Sequence, residues 1–391
     1  MIKSKKIRLK PTPEQETLFW KSVGTARWAY NYFLSENERV YKEYLDNGNN
    51  GVKHISGADI RKYINNTLKK TTHQWLSEVG SNVLKQSVKT AERAYKDWLS
   101  GKRGKPHYKS KHKSKISFYV NYETLTWKNG GFHGEKIGFV KTAEPLPKIP
   151  KGEKYSAPYI SYDGKYWYLS VGYSVEPVET ELSGKSLGID LGVKDLAICS
   201  DGKVYKNINK STRMRKLNKR LKREQRKLSR MIENNISGYQ KKKPIYRRPL
   251  KECSNIQKQI ANIRLIHKHI ADIRRNYLHQ TTTALVKTKP SRIVMETLNV
   301  KGMMKNRHLA KAISEQCFYE FKRQIQYKSE FYGIEFVEVP RFYPSSKTCS
   351  YCGAIKDDLR LSDRIYKCEC CGLVIDRDLN ASINLANYQS A

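Results

Sequence analysis

Four cysteines near the C-terminus constrain this chain more than any other feature. Cys349-x2-Cys352 and Cys368-x2-Cys371 are matched pairs separated by 15 residues, and Gly353 and Gly372 each follow the second cysteine of a pair. Two thiol pairs at this spacing suit a tetrahedral Zn²⁺, and glycine supplies the positive φ that a knuckle turn favours. Cys199, Cys253 and Cys317 are scattered, which argues for a reducing compartment rather than a disulfide framework. Cys370 is a spare ligand by position, but the x2 spacing and the following glycine favour Cys371. One structural Zn²⁺ on Cys349, Cys352, Cys368 and Cys371 is therefore expected. Directly after it, CECCGLVIDRDLNASINL carries Asp376 and Asp378 into a short helical pattern, so a thiolate site runs straight into carboxylates.

The 391 residues allow two or three domains with their own cores. Lys and Arg number 75 against 37 Asp and Glu, a formal charge of +38. A compact chain so charged repels itself unless a polyanion shares the charge. Nucleic acid suits this pattern, with its interleaved aromatics, better than an anionic membrane does. There is no basic amphipathic anchor or lipidation signal, and no apolar run approaches the length of a membrane span. The start, MIKSKKIRLK, lacks the apolar core of a signal peptide. A cytoplasmic protein with no membrane partner, active at the nucleoid, is expected.

Residues 2–9 alternate apolar and basic side chains, as a short strand does. Thr12-Pro13-Glu14 supplies an N-cap, a proline for the first helical position and an acid in the first turn. The helix predicted to follow buries Phe19, Val23, Ala26, Tyr30, Phe33 and Leu34 and exposes Lys21, Arg27 and Trp28. More helical pattern covers 58–70 and 80–99. GKRGKPHYKSKHKSK, residues 101–115, holds seven Lys/Arg, His107 and His112, and no acid. It reads either as a solvated linker or as a phosphate contact, for which Lys102, Arg103 and Lys105 are candidates. From 116 to 176 the period changes to two. YISYDGKYWYLSV reads as a hairpin turning at Asp163-Gly164, and ISFYV and KIGFV as further strands, giving a small barrel or sheet to which residues 2–9 are expected to add.

After ETELSGKS, the stretch LGIDLGVKDLAICSDGKVY predicts two or three strands turning at Asp201-Gly202. Residues 210–235 form a strongly basic helix with Met214, Leu217, Leu221, Leu228 and Met231 as its apolar stripe and Arg220, Arg223 and Arg226 among its exposed cations. A second helix over about 250–287 carries isoleucines at core spacing, and the Pro244 and Pro249 loop makes the two an antiparallel hairpin.

Asp190 interrupts an apolar β run, where aspartate is disfavoured, and Gly188 and Gly192 leave backbone room beside it. Glu296 does the same in SRIVMETL. One acid on a strand most often only reaches solvent. Two on strands of one sheet, with a third near Asp376 or Asp378, would need cations to converge, and hard oxygen ligands suit Mg²⁺. Two such ions about 3.5–4 Å apart serve phosphodiester cleavage. Asp195 and Asp201 are rival acids, one closing a hairpin and the other preceding glycine in a turn.

The order GIDLG, VMETL, NVKGMMKNRHLAKAISE, SSKTCSYCG, KCECCG and DRDLNASINL resembles the TnpB (OrfB) proteins of insertion-sequence transposons, compact relatives of type V CRISPR effectors. The likeness is specific from about residue 185 onward, and KIRLKPTPEQETLFW and GKRGKPHYKS extend it more loosely over most of the chain. It implies an α+β multidomain protein: a wedge-type β-barrel over 1–10 and 116–182, a helical recognition domain over 11–115, a RuvC-like nuclease of RNase H fold over 183–347 and 375–391, and a zinc ribbon over 348–374. It implies RNA-guided cleavage of double-stranded DNA beside a short flanking motif, with a guide RNA from the transposon end as partner. It assigns catalysis and two Mg²⁺ ions to Asp190, Glu296 and Asp378, and phosphate contacts to the arginines of the basic helix. Ser382, where a second alanine is common, and Cys370 are its departures. A cleavage-inactive RNA-guided regulator and a transposase of RNase H fold are the rival readings.

Overall fold

The computed structural model describes residues 1–389 except 112, 124, 129, 151, 179, 361 and 362; His112 lies outside the described residues. The chain divides after Val175 into two compact units.

The first unit begins with β1 (Ile2–Lys10) and α1 (Pro13–Asp46). Thr12 caps α1 reciprocally: its Oγ1 accepts from the Gln15 amide at 3.3 Å, and Gln15 Oε1 accepts from the Thr12 amide at 3.1 Å, satisfying two otherwise orphaned donors. Helices α2 (Gly57–Tyr63) and α3 (Ser81–Leu99) pack on it through Phe33, Leu34, Ile60, Leu84 and Val88. Six further strands follow: β2 (Ser117–Tyr119), β3 (Thr126–Lys128), β4 (Gly131–Gly134), β5 (Gly138–Thr142), β6 (Ser156–Tyr162) and β7 (Trp167–Ser174). They form one antiparallel sheet in the order β2-β6-β7-β1-β5-β4-β3. As expected, residues 2–9 join strands more than a hundred positions away, with Ile7 opposite Leu169 and Leu9 opposite Thr142. The β6–β7 hairpin turns at Gly164, whose φ is +99°, and Asp163 Oδ1 accepts from the amides of Lys165 and Tyr166.

The stretch 101–115 is not a free linker. Asn31 of α1 exchanges two hydrogen bonds with the Lys109 backbone, at 2.9 and 2.8 Å, and Tyr108 donates to Glu38 at 2.6 Å.

The second unit holds β8 (Ser183–Leu191), β9 (Asp195–Cys199), β10 (Val204–Lys206), α4 (Thr212–Glu233), β11 (Ile236–Gln240), β12 (Lys243–Tyr246), α5 (Ser254–Lys287) and β13 (Pro290–Glu296). It continues with α6 (Val300–Met303), α7 (Ala310–Gln316), α8 (Phe318–Phe331), β14 (Glu335–Val339), β15 (Ile365–Lys367), β16 (Val374–Asp376) and α9 (Arg377–Ala386). The main sheet runs β10-β9-β8-β13-β14, antiparallel across β10, β9 and β8 and parallel across β8, β13 and β14.

Strand alternation divides this sheet's side chains cleanly. Leu187, Ile189, Ile293 and Met295 form one core with Leu278 and Leu285 of α5 and Phe321 and Ile325 of α8. On the other face, Val294 packs with Leu385 of α9. The first half of α5 instead meets α4, where Met214, Leu217 and Leu221 interlock with Ile266, Ile270 and Ile273. The expected antiparallel helix pair is therefore present, but its connection is a β-hairpin and not a plain loop. Pro244 sits in β12, and Lys241 and Lys242 make the turn at φ +48° and +64°.

Candidate active site and metal centre

Asp190 lies near the C-terminal end of β8 and Glu296 ends β13. Ile189 pairs with Met295, so in these parallel strands the next residues, Asp190 and Glu296, fall side by side on one face. That is the face α9 covers, and the contact is unusually close. A Cβ added at Gly188 would lie 1.9 Å from Ser382 O and 2.5 Å from Ala386 N. The absence of a side chain at 188 thus lets the α9 backbone lie on β8, two residues before Asp190 on the same face. Asp378 is in the first turn of α9.

Asp190 senses the other acids electrostatically. Burial foremost, then Glu296, Asp378 and Asp376, hold the Asp190 carboxyl well above its ordinary 3.8, and Arg377 offsets this only in part. Burial also pushes Glu296 upward. A carboxyl driven toward its neutral form by neighbouring carboxylates marks a place where a cation would be strongly favoured. All-oxygen donors suit a hard ion such as Mg²⁺.

Asp376 has a different task from Asp378. It is the N-cap of α9, and its Oδ1 accepts from the amides of Asp378 at 2.9 Å and Leu379 at 3.1 Å. Arg377 Nε lies 3.6 Å from Asp378 Oδ1, so the arginine forms an ion pair with Asp378. The cap fixes the backbone on which Asp378 stands.

The thiolate site is compact. The four sulfurs of Cys349, Cys352, Cys368 and Cys371 lie within 4.8 Å of one another. Cys349 and Cys371 Sγ are 3.6 Å apart, and Cys352 and Cys368 Sγ 3.5 Å. Zn–S bonds of about 2.3 Å in a tetrahedron put sulfurs roughly 3.8 Å apart, so the donors fit Zn²⁺. The two knuckles repeat one hydrogen-bond pattern. Cys349 N donates to Ala354 O and Gly353 N to Cys349 O, just as Cys368 N donates to Leu373 O and Gly372 N to Cys368 O. Gly353 and Gly372 have φ of +77° and +74°. The amides of Cys371 and then Cys370 hold the Cys368 thiol down at about 6. Cys370 is exposed and outside the cluster. Cys349→Ser should reduce bound zinc from about one per chain to near zero in metal analysis, because three thiolates leave the tetrahedron open.

Two residues the sequence reading passed over tie the two sites together. Buried Asn380 accepts from Ser350 N at 2.9 Å and donates to Thr348 O at 2.7 Å, and Asn384 donates to Ser345 O and Thr348 O at 2.7 and 2.6 Å. Their i, i+4 spacing on α9 was the available signal. The helix bearing Asp378 is thus clamped to the first cysteine knuckle.

The basic candidates are divided between the two units, Lys102, Arg103 and Lys105 in the first and Arg220, Arg223 and Arg226 in the second. Arg103 pairs with Asp97 at 3.5 Å and Lys105 with Glu38 at 3.0 Å, whereas Lys102 is exposed. On α4, Arg220 and Arg226 are exposed, and Arg223 lies 3.5 Å from Glu224. Asp195 pairs with Lys206 at 3.4 Å, and Asp201 accepts from Lys203 N in its turn, so neither rival acid joins the cluster. No helix among the described residues is long and apolar enough to cross a membrane.

Models of the OrfB family and of a Cas12f1-like domain match three segments of the chain. A helix-turn-helix model of that family matches residues 1–46, the OrfB IS605 model, described as a probable transposase, matches 170–307, and a Cas12f1-like TNB domain matches 318–385. Across these segments the chain is similar to the TnpB (OrfB) family. Residues 1–46 here are one strand and one long helix, not two helices about a turn. A protein of Streptomyces pristinaespiralis named "Putative RNA-guided DNA endonuclease" is 29% identical over 386 residues, covering 97% of this chain and 87% of its own. InsQ of Escherichia coli K12, named in the same words, is 29% identical over 399 residues, covering 97% and 90%. The fold is shared with Cas12f1 in a cryo-EM structure with sgRNA and target DNA, at a TM-score of 0.55 and 15% identity over 99% of both chains.

Proposed function

We propose that this chain is an RNA-guided DNA endonuclease whose hydrolytic centre is Asp190, Glu296 and Asp378. The observation that carries the reading is the convergence of these acids from three separate segments, β8, β13 and α9, where each raises the cost of ionising Asp190. The mixed sheet with an acid on its central strand supports a RuvC-like nuclease of RNase H fold over 183–347 and 375–391. The knuckle pair supports a zinc ribbon over 348–374. The seven-stranded sheet supports a wedge-type barrel over 1–10 and 116–182, with the helices of 11–115 as a recognition domain.

Asp190, Glu296 and Asp378 would hold two Mg²⁺ ions, which supply an acidified water and stabilise the leaving oxygen in phosphodiester hydrolysis. The chain's own part is to fix the carboxylates. The sheet holds Asp190 and Glu296 in register, the Asp376 cap fixes the start of α9, and Arg377 steers Asp378. A guide RNA from the transposon end would pair with one DNA strand, leaving the protein to read heteroduplex shape and a short flanking motif. Lys102, Arg103, Lys105, Arg220, Arg223 and Arg226 would contact phosphate, a role that sets affinity and salt dependence but not sequence choice.

Sequencing RNA that copurifies with the protein should return one guide joined to a transposon-end scaffold, and a matching DNA duplex should be cut in Mg²⁺. Target binding without cutting would favour the regulator reading. Strand joining with no copurified RNA would favour a transposase.

A further inference from the structure

Two adjoining hollows in the first unit have no part in cleavage chemistry. The larger, about 500 Å³, has Gly24, Trp28 and Tyr32 of α1 along one side, with Trp75 and Tyr108 facing them. The residues sit at i, i+4 and i+8, one face of the helix. Trp28 and Tyr32 are stacked at 4.9 Å with planes 14° apart, and Trp75 stands nearly perpendicular to Trp28, at 80°. The hollow is therefore bordered by a stacked aromatic pair, with His73 and Trp75 packed against Trp28, and a planar ring could extend that stack. Gly24 borders open space, since a Cβ there would meet nothing within 4 Å.

The second hollow, about 240 Å³, is lined by Lys109, Lys111 and Lys115 with Ser87, Thr90 and Ser114. Arg27 lines both, and neither is lined by an acid. Among the described residues no carboxylate pairs with Arg27, Lys111 or Lys115. The lysine-bearing segment is fastened to α1 by the two Asn31–Lys109 hydrogen bonds, and the Lys109 ammonium sits over the Tyr30 ring at 3.8 Å. A hollow with Lys111, Lys115 and Arg27 on its border, beside an aromatic one that Arg27 also lines, suits a phosphate joined to a nucleobase.

We propose that the first unit holds one unpaired nucleotide of an RNA strand, its base extending the Trp28–Tyr32 stack and its phosphate among Lys111, Lys115 and Arg27. An unpaired base is free to leave its neighbours and stack on aromatic side chains, and such stacking tolerates any base. The assignment to RNA rests on the function proposed above, in which the guide is held before target is met; the nucleotide chemistry does not.

The test uses the full-length protein, freed of nucleic acid, in about 0.3 M salt without Mg²⁺, where phosphate-only contacts are weakened. The probe is a single-stranded eight-nucleotide RNA carrying 2-aminopurine, whose fluorescence falls on stacking, beside the matching DNA and a duplex RNA. The single-stranded RNA should be quenched and the duplex should not. Gly24→Leu, which fills the hollow from an open position, and Trp28→Ala should each weaken binding roughly 5- to 150-fold and remove the quenching. Lys111→Ala with Lys115→Ala should weaken binding and flatten its salt dependence while bound probe stays quenched. Unchanged affinity and quenching in well-folded Gly24→Leu would overturn the site. Loss confined to the DNA probe would overturn the RNA assignment. No cleavage is measured, so failure of the nuclease reading would leave a positive result here standing.

Discussion

Asp190→Asn should lower DNA cleavage by roughly a thousandfold or more and, at neutral pH, raise the melting temperature of the metal-free protein. The first effect is what the proposed two-metal centre requires, because a charged oxygen ligand would be lost where metal ions would lower the barrier by several kcal/mol. The second follows from the environment of the carboxyl. In the unfolded chain Asp190 ionises near its ordinary 3.8, whereas in the fold burial and three neighbouring acids hold it well above that value. Between the two values the unfolded state binds fewer protons, so this group lowers stability as pH rises. The penalty is absent below 3.8 and complete above the raised folded value. An amide carries no such penalty, so the thermal gain should be largest at neutral pH and vanish in acid. Melting curves across pH without metal, beside cleavage rates in Mg²⁺, check both halves. A variant that cuts normally, or whose thermal shift is the same at every pH, would remove Asp190 from the centre.

Gly188→Ala should disable the same centre while leaving every acid in place. Its Cβ would fall 1.9 Å from Ser382 O and 2.5 Å from Ala386 N, atoms of helix backbone that no rotamer change can clear. Either α9 lifts from β8 or the strand shifts, and either movement separates Asp378 from Asp190. Overpacking costs about 1–3 kcal/mol where side chains can yield, and more where backbone must. A loss of about 3 kcal/mol would lower the melting temperature by roughly 6–12 °C in a unit of this size. Gly184→Ala is the control: it lies on the same strand with nothing within 4 Å of an added Cβ, and should melt and cut like the parent. Zinc content should stay unchanged in both, which separates this effect from loss of the ribbon.

Much of the local architecture could be read from the chain because its causes are local. The Thr12-Pro13 start of α1, the Asp163-Gly164 turn and the two Cys-x2-Cys-Gly knuckles each depend on φ preferences and hydrogen bonds spanning a few residues. The β11–β12 hairpin was missed for the same reason. Its turn is made by Lys241 and Lys242 in a left-handed conformation, its second strand contains Pro244, and no glycine or asparagine marks it. Arg27 and Trp28 were expected to face solvent on helical spacing alone. Yet a partner segment some eighty residues away, anchored at Asn31, turns their side of α1 into the wall of a hollow.

The acids show where local reading ends. Asp190 and Glu296 stand out because charge is costly inside an apolar strand, and the residue types alone make them candidates. The choice between Asp376 and Asp378 came from resemblance, and the structure supplies a physical difference between them: one carboxylate is occupied by the amides that start α9, while the other stands beside Arg377 at the cluster. Sequence by itself determined the ligand types, the knuckle geometry and the strands that carry the first two acids. Only the tertiary structure decided that α9 returns nearly two hundred residues later to lie directly on Gly188, and that Asn380 and Asn384 bind it to the cysteine knuckle. Contacts at that separation depend on how complementary surfaces pack, which no short window of sequence encodes.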